Sequence, residues 1–188
     1  MRVLGIDPGS QRTGYGCVET DGSRHRLVTC GAVATRGTVA FTDKLLTIHQ
    51  EIARLIDECH PDFVAVENLF TAINTRSALK LGHVRGVAML AAVEADVQVA
   101  EYTPAEVKRA VVGYGRAEKH QVQQMVRLLL GMTTAPAPHD VADALAIAIC
   151  HLNRVGPLGK SNGRRAPAGS SWRRFKPEHM IADGKMRT

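Results

Sequence analysis

Two short apolar runs in this sequence each end on an acid. Arg2-Val-Leu-Gly-Ile leads into Asp7 and the turn Pro8-Gly9, and Phe63-Val-Ala-Val leads into Glu67. A third stretch, His139-Asp140-Val-Ala-Asp143-Ala-Leu-Ala-Ile-Ala-Ile-Cys150, is apolar nearly all round, yet Asp140 and Asp143 share one helical face. Taken singly, Asp7 is accounted for by turn chemistry. Asp140 is accounted for by the helix dipole, which favours a first-turn acid by about 0.3–1 kcal/mol. Asp143 resists both readings, because Ala142, Ala144, Leu145 and Ile147 surround it with core residues. A buried carboxylate costs on the order of several kcal/mol unless it is paired or meets a cation. Carboxylates converging on one point repel each other, and two Mg²⁺ ions would balance them with the oxygen ligands that ion prefers. Paired metals suit in-line attack of water on a phosphodiester. No histidine-cysteine set competes for the role.

The elements that must carry these acids are legible from periodicity and punctuation. Strands are expected at 2–7, 15–20 and about 26–34, with Asp21-Gly22 in the hairpin between the last two. A helix opened by Thr42 and Asp43 places Leu45, Ile48, Ile52, Leu55, Ile56 and Cys59 on one face and stops at His60-Pro61. Phe63 to Glu67 is apolar on both faces, as a central parallel strand should be. A long helix over 74–95 and a strand over Val97 to Glu101 follow. Thr103-Pro104-Ala105-Glu106 is a capping box that opens a short helix ending near Gly113. Further helices are expected from Glu118 to Leu130 and over 139–152, the latter after the break at Ala135 to Pro138. The sum is an α/β fold, a mixed sheet of five strands with helices on both faces.

The chain of 188 residues is long enough for one full core, occupying residues 1–154. Residues 155–188 have no apolar periodicity and are rich in glycine, serine and basic residues, so a disordered tail is expected there. That segment holds eight of the 24 Lys/Arg and two of the 18 acids, so the net charge of +6 resides in it and the remainder is balanced. Within it, Trp172 and Phe175 are interleaved with Arg173, Arg174 and Lys176, a composition that can follow a phosphate backbone. Cys17, Cys30, Cys59 and Cys150 are scattered, as small buried hydrophobes in a reducing compartment are. With no apolar run of membrane-spanning length and no leader-like start, the expectation is a cytoplasmic protein that does not engage a membrane.

Several stretches together resemble one family. Gly5-Ile-Asp7-Pro-Gly-Ser-x-x-Thr-Gly, Val66-Glu67-Asn-Leu-Phe70, Ser77-Ala-Leu-Lys-Leu-Gly82-x-x-Arg-Gly86, Ala117-Glu-Lys119-x-Gln-Val and Asp140-x-Ala-Asp143-Ala-Leu-Ala-Ile-Ala are similar to the motifs of the RuvC family of bacterial Holliday-junction resolvases. The resemblance spans residues 1–152 in order. It implies a ribonuclease-H-like fold, a homodimer, and paired nicking of four-way DNA junctions. It also implies two Mg²⁺ per active site, with Mn²⁺ able to substitute, and cooperation with the RuvA and RuvB branch-migration proteins. The family's four metal-binding acids fall on Asp7, Glu67, Asp140 and Asp143, with His139 beside them as a further candidate. Lys119 matches a family lysine near the scissile phosphate, and Lys108 another basic position.

Other assignments come from the residues themselves. Phe70 follows an acid-bearing strand, where a loop aromatic could stack on an unpaired base; a core contact is the alternative. Arg76, Lys80 and His83 share a stripe of the long helix and could touch phosphates, or form an ordinary charged face. Gly82 and Gly86, at four-residue spacing, permit a close backbone approach beside Met89 and Leu90. This is the expected dimer surface, with packing on the chain's own sheet as the alternative. Two rival functions stay open. Asp-Pro-Gly-Ser also resembles the phosphate loop of actin-like ATPases and sugar kinases, which need two such domains. A non-cleaving junction binder, or a ribonuclease-H-like nuclease acting on another nucleic-acid structure, is the second.

Overall fold

β1 (Arg2–Asp7), β2 (Arg12–Thr20) and β3 (His25–Ala34) form an antiparallel meander, and β4 (Phe63–Glu67) and β5 (Gln98–Tyr102) extend it in parallel. The order across the sheet is β3-β2-β1-β4-β5. The computed structural model describes residues 1–34, 37–68 and 75–155. Helices α1 (Phe41–Cys59) and α2 (Thr75–Glu94) cover one face of the sheet. Helices α3 (Pro104–Val112), α4 (Lys119–Leu129) and α5 (His139–Val155) cover the other.

Strand alternation divides the core in two and decides where the acids point. Leu4 and Ile6 of β1 and Val64 and Val66 of β4 pack toward α1 and α2. Val3 and Ala65 pack toward α5. With a period of two, Asp7 continues the side of Val3 and Glu67 the side of Ala65. Ile6 pairs with Val66 in the parallel register, so the two acids emerge side by side on the face that α5 covers. A slip of one residue in either strand would send one acid to the opposite face.

Glycines let α5 lie unusually close to this sheet. A Cβ on Gly5 would stand 2.1 Å from the carbonyl oxygen of Ala144, and one on Gly14 would stand 2.0 Å from that of Asp140. At Gly16 it would meet the Leu145 side chain at 2.5 Å. The helix backbone thus rests on strand backbone at β1 and β2. α5 is buried from Val141 to Leu152, apart from a half-exposed Asp143.

Element types match the sequence reading, with shifts at the ends. β2 begins at Arg12 rather than 15, because Gly14 pairs with Asp7 and extends the hairpin through a glycine of low strand propensity. α1 begins one residue before the expected Thr42; Ala40 precedes it without a side-chain cap, and Asp43 lies in the first turn. α5 continues to Val155, past the expected 152. The capping box at the start of α3 forms as expected: the Glu106 amide donates to Thr103 Oγ1 at 3.3 Å, and the Thr103 amide donates to Glu106 Oε2 at 2.9 Å. Cys17, Cys59 and Cys150 are buried free thiols. No helix among the described residues is long and apolar enough to cross a membrane.

Candidate active site

Asp7, Glu67 and Asp143 line one cavity of about 270 Å³, together with Lys108, Lys119 and Val122. Each acid arrives on a different element. Asp7 and Glu67 stand at the ends of adjacent parallel strands, and Asp143 lies on the first turns of α5, held down by the glycine contacts. The turn after Asp7 is braced locally, where the buried Thr13 hydroxyl donates to the Gly9 carbonyl at 3.0 Å. Asp140 does not line the cavity, and its Oδ2 lies 3.7 Å from Arg12 Nη1. Lys119 is the first residue of α4, where Glu118 and Gln121 form a reciprocal cap. Its Nζ lies 3.6 Å from Asp143 Oδ2 while the side chain stays 72% exposed.

The electrostatics are those of acids gathered without enough positive charge. Burial pushes the Asp7 carboxyl from 3.8 up to about 8, and Glu67, Asp143 and Asp140 add to the rise. Glu67 is raised to about 7, again by burial first and then by Asp143, against opposing pulls from Lys119 and Lys108. Asp143 is raised by burial, with Lys119 opposing. Strong perturbation of several acids in one cleft marks a functional site more often than a structural one. Nothing in the fold requires Asp7 or Glu67 to be acidic, since apolar residues there would avoid both burial and repulsion.

The donor set suits a hard divalent cation, being wholly carboxylate oxygen, and such a cation would relieve the repulsion. Among the described residues no three acid, histidine or cysteine side chains stand close enough to enclose an ion as placed. Asp7, Glu67 and Asp143 present that donor set in the cavity, and Asp140 lies outside its lining, beside Arg12. His139 opens α5 on its exposed side and does not line the cavity.

The remaining sequence-predicted residues divide. Lys108 and Lys119 both reach the acid cavity. Phe70 lies outside the described residues. Lys80 and His83 contact Phe41, the ammonium 5.7 Å from its ring centroid and the imidazole edge-on at 5.9 Å. Arg76, at the start of α2, is exposed. Gly82 and Gly86 have nothing within 4 Å of an added Cβ, so the alternative of packing on the chain's own sheet does not hold for them. They floor an open, largely apolar groove of about 680 Å³ with Leu79, Val87 and Leu90. Met89 leans instead onto the core between α1 and α2. Sequence reasoning missed Arg12, which reaches Asp140, and the role of Gly5, Gly14 and Gly16. The alternation Gly14-x-Gly16 opposite Gly5 was a readable signal that another backbone approaches this strand pair closely.

Comparison with known proteins points to a single family. The family model described as crossover junction endodeoxyribonuclease RuvC matches residues 3–151. The chain is 57% identical over 153 residues to a protein of that name from Syntrophotalea carbinolica, covering 81% of this chain and 94% of the relative. A namesake from Alkaliphilus oremlandii is 51% identical over 153 residues, covering 81% and 93%. Among solved structures, Thermus thermophilus RuvC superposes with a TM-score of 0.76 at 38% identity, over 82% of this chain and 95% of that one. The same protein in complex with a Holliday junction substrate gives 0.76 at 35% identity, over 82% and 94%.

Proposed function

The chain belongs to the RuvC family of crossover junction endodeoxyribonucleases, and on that premise we propose that it resolves Holliday junctions by paired, symmetric nicks through two-metal phosphodiester hydrolysis. The observation that carries the reading is the convergence of Asp7, Glu67 and Asp143 in one cavity beside Lys119. In this reading Asp7, Glu67, Asp140 and Asp143 hold two Mg²⁺ ions, for which Mn²⁺ can substitute. Bound there, such ions would supply Lewis-acid activation of water and stabilisation of the departing oxygen. The protein's own part is positional. The strand ends fix Asp7 and Glu67, while the glycine-seated α5 sets Asp143 against them. Lys119, exposed at the cavity mouth, and Lys108 within it offer positive charge to the scissile phosphate and orient it. Arg12 holds the Asp140 carboxylate.

A four-way junction has two-fold symmetry, and cutting two opposed strands calls for two such sites in a fixed relation. The open groove floored by Gly82 and Gly86 supports a homodimer built on α2, with Leu79 and Leu90 as its exposed apolar contacts. Replacing Gly82 and Gly86 by leucine is expected to convert the dimer to monomer at micromolar concentration, because side chains would hold the two helices apart. Sedimentation equilibrium measures this, and an unchanged dimer would place the interface elsewhere. Membership of the family supports, as part of the same proposal, cooperation with RuvA and RuvB, with junction DNA as the shared ligand.

The direct test is incubation with a labelled, immobile four-way junction and Mg²⁺, with the nicks mapped on all four strands. Symmetric cuts in two opposed strands are expected, together with no cutting in EDTA. Random cutting, or equal cutting of plain duplex or RNA, would favour a nuclease with another substrate.

A further inference from the structure

A larger groove of about 1020 Å³ is lined by Asp140 and by the turn that follows Asp7. Its floor is the Gly9-Ser10 turn that follows Asp7, and its walls carry Arg12, Lys44 and Lys80. Among the described residues Asp140 is the one acid lining it, and Arg12 already faces that acid at 3.7 Å. Lys44 and Lys80 form no ion pair with a carboxylate among the described residues. Three different elements supply these cations: the start of β2, the first turns of α1, and α2. The groove also takes in the N-terminus of α1, where Ala40 offers the first-turn amides no side-chain acceptor. An uncapped helix start presents unsatisfied N–H groups and a positive dipole end. Lys44 shares that first turn with Asp43, whose carboxylate already meets part of the dipole, so the lysine charge is what the groove adds for an anion. Lys80 is steered over the groove by the partly buried Phe41 ring.

We propose that this groove is a second phosphate-binding site, which receives the backbone of the cut strand where it leaves the acid cavity. The inference rests on the nuclease reading above and adds a path for the strand. Asp140 and Arg12 form the boundary between the two cavities, so a strand whose phosphate sits at Asp7, Glu67 and Asp143 passes them to enter the groove. Backbone amides of the turn, the α1 N-terminus and the Lys44 and Lys80 ammonium groups then meet successive phosphates. None of these contacts reads a base, so the site adds affinity and fixes the strand's direction without sequence preference.

The test compares wild type with a Lys44→Ala/Lys80→Ala variant, measuring binding to an immobile junction over a salt series without divalent cation. Each lost phosphate contact lowers the slope of log K against log salt by about 0.9. The double variant should therefore show a slope shallower by about 1.8, shrinking the affinity ratio between 50 and 200 mM salt by roughly tenfold. Arg54→Ala, which removes a cation from the same helix outside the groove, should leave the slope as in wild type. A second arm places single neutral methylphosphonates along each strand. Substitutions that weaken wild type but not the double variant should lie on the cut strand, beside the nick. A double variant with the wild-type slope overturns the site. Coupled positions found only on uncut strands overturn the path. Micromolar ATP binding that the double variant loses, with no change in the DNA slope, would reassign the groove to a free nucleotide. Cutting by wild type is checked on the same preparation: a protein that binds but never nicks overturns the nuclease reading itself, whereas an unchanged slope in a cutting protein overturns only the groove.

Discussion

Replacing Asp7 with asparagine is expected to lower junction cleavage by at least about 10³-fold, on the order of 4 kcal/mol of transition-state stabilisation. Junction affinity without divalent cation should change by less than about threefold, because affinity comes mainly from lysine and arginine contacts to phosphate. The same substitution should stabilise the metal-free fold, and the sign follows from the titration. Asp7 is held near 8 in the fold against 3.8 for an ordinary aspartate. Below 3.8 the carboxyl is protonated in both states and costs nothing. As pH rises from there to 8 the unfolded chain ionises while the fold resists, so stability falls, and the whole penalty is present above 8. Asparagine removes it. At pH 8.5 without metal, Asp7→Asn should therefore be more stable by at least about 1.4 kcal/mol, the worth of one pKa unit. Mg²⁺ should raise the melting temperature of wild type and much less that of the variant, since metal binding must displace the proton that Asp7 retains. A variant that loses stability and junction binding together would mean that Asp7 is structural.

Gly14→Ala should disable the site without touching any acid. A single Cβ there would meet the Asp140 carbonyl oxygen at 2.0 Å, a separation that only backbone movement relieves. Gly14 pairs directly with Asp7, so the displaced element is the first turn of α5 and the displaced groups are Asp140 and Asp143. A misplacement of about 1 Å costs on the order of 10²-fold in rate, and cleavage should fall by at least that much. Overpacking of this kind costs about 1–3 kcal/mol, so the protein should remain folded. Denaturant melts and single-turnover cleavage of Gly14→Ala beside wild type separate loss of the site from loss of the fold. Gly14→Ala cutting within tenfold of wild type would show that α5 is not positioned by its glycine seat.

The sequence by itself determined the element types and the identities of the acids. Strand runs ending on Asp7 and Glu67, and an apolar helix that nonetheless carries Asp143, are local patterns: side-chain periodicity and the cost of burying charge are written in neighbouring residues. The capping box at Thr103 and the break before α5 were legible for the same reason. Tertiary structure alone decided which acids share a cavity. Asp140 and Asp143 lie on one helical face, yet Asp143 lines the cavity with Asp7 and Glu67 while Asp140 turns to Arg12. The division depends on where α5 crosses the sheet, which is set by contacts with Gly5, Gly14 and Gly16, more than 120 residues away in the chain. Likewise, Arg12 and Lys44 are unremarked cations in sequence, and Lys80 is legible only as part of a helix stripe that could touch phosphates, because charge count carries no direction. They become one surface only when β2, α1 and α2 are folded around the turn that follows Asp7.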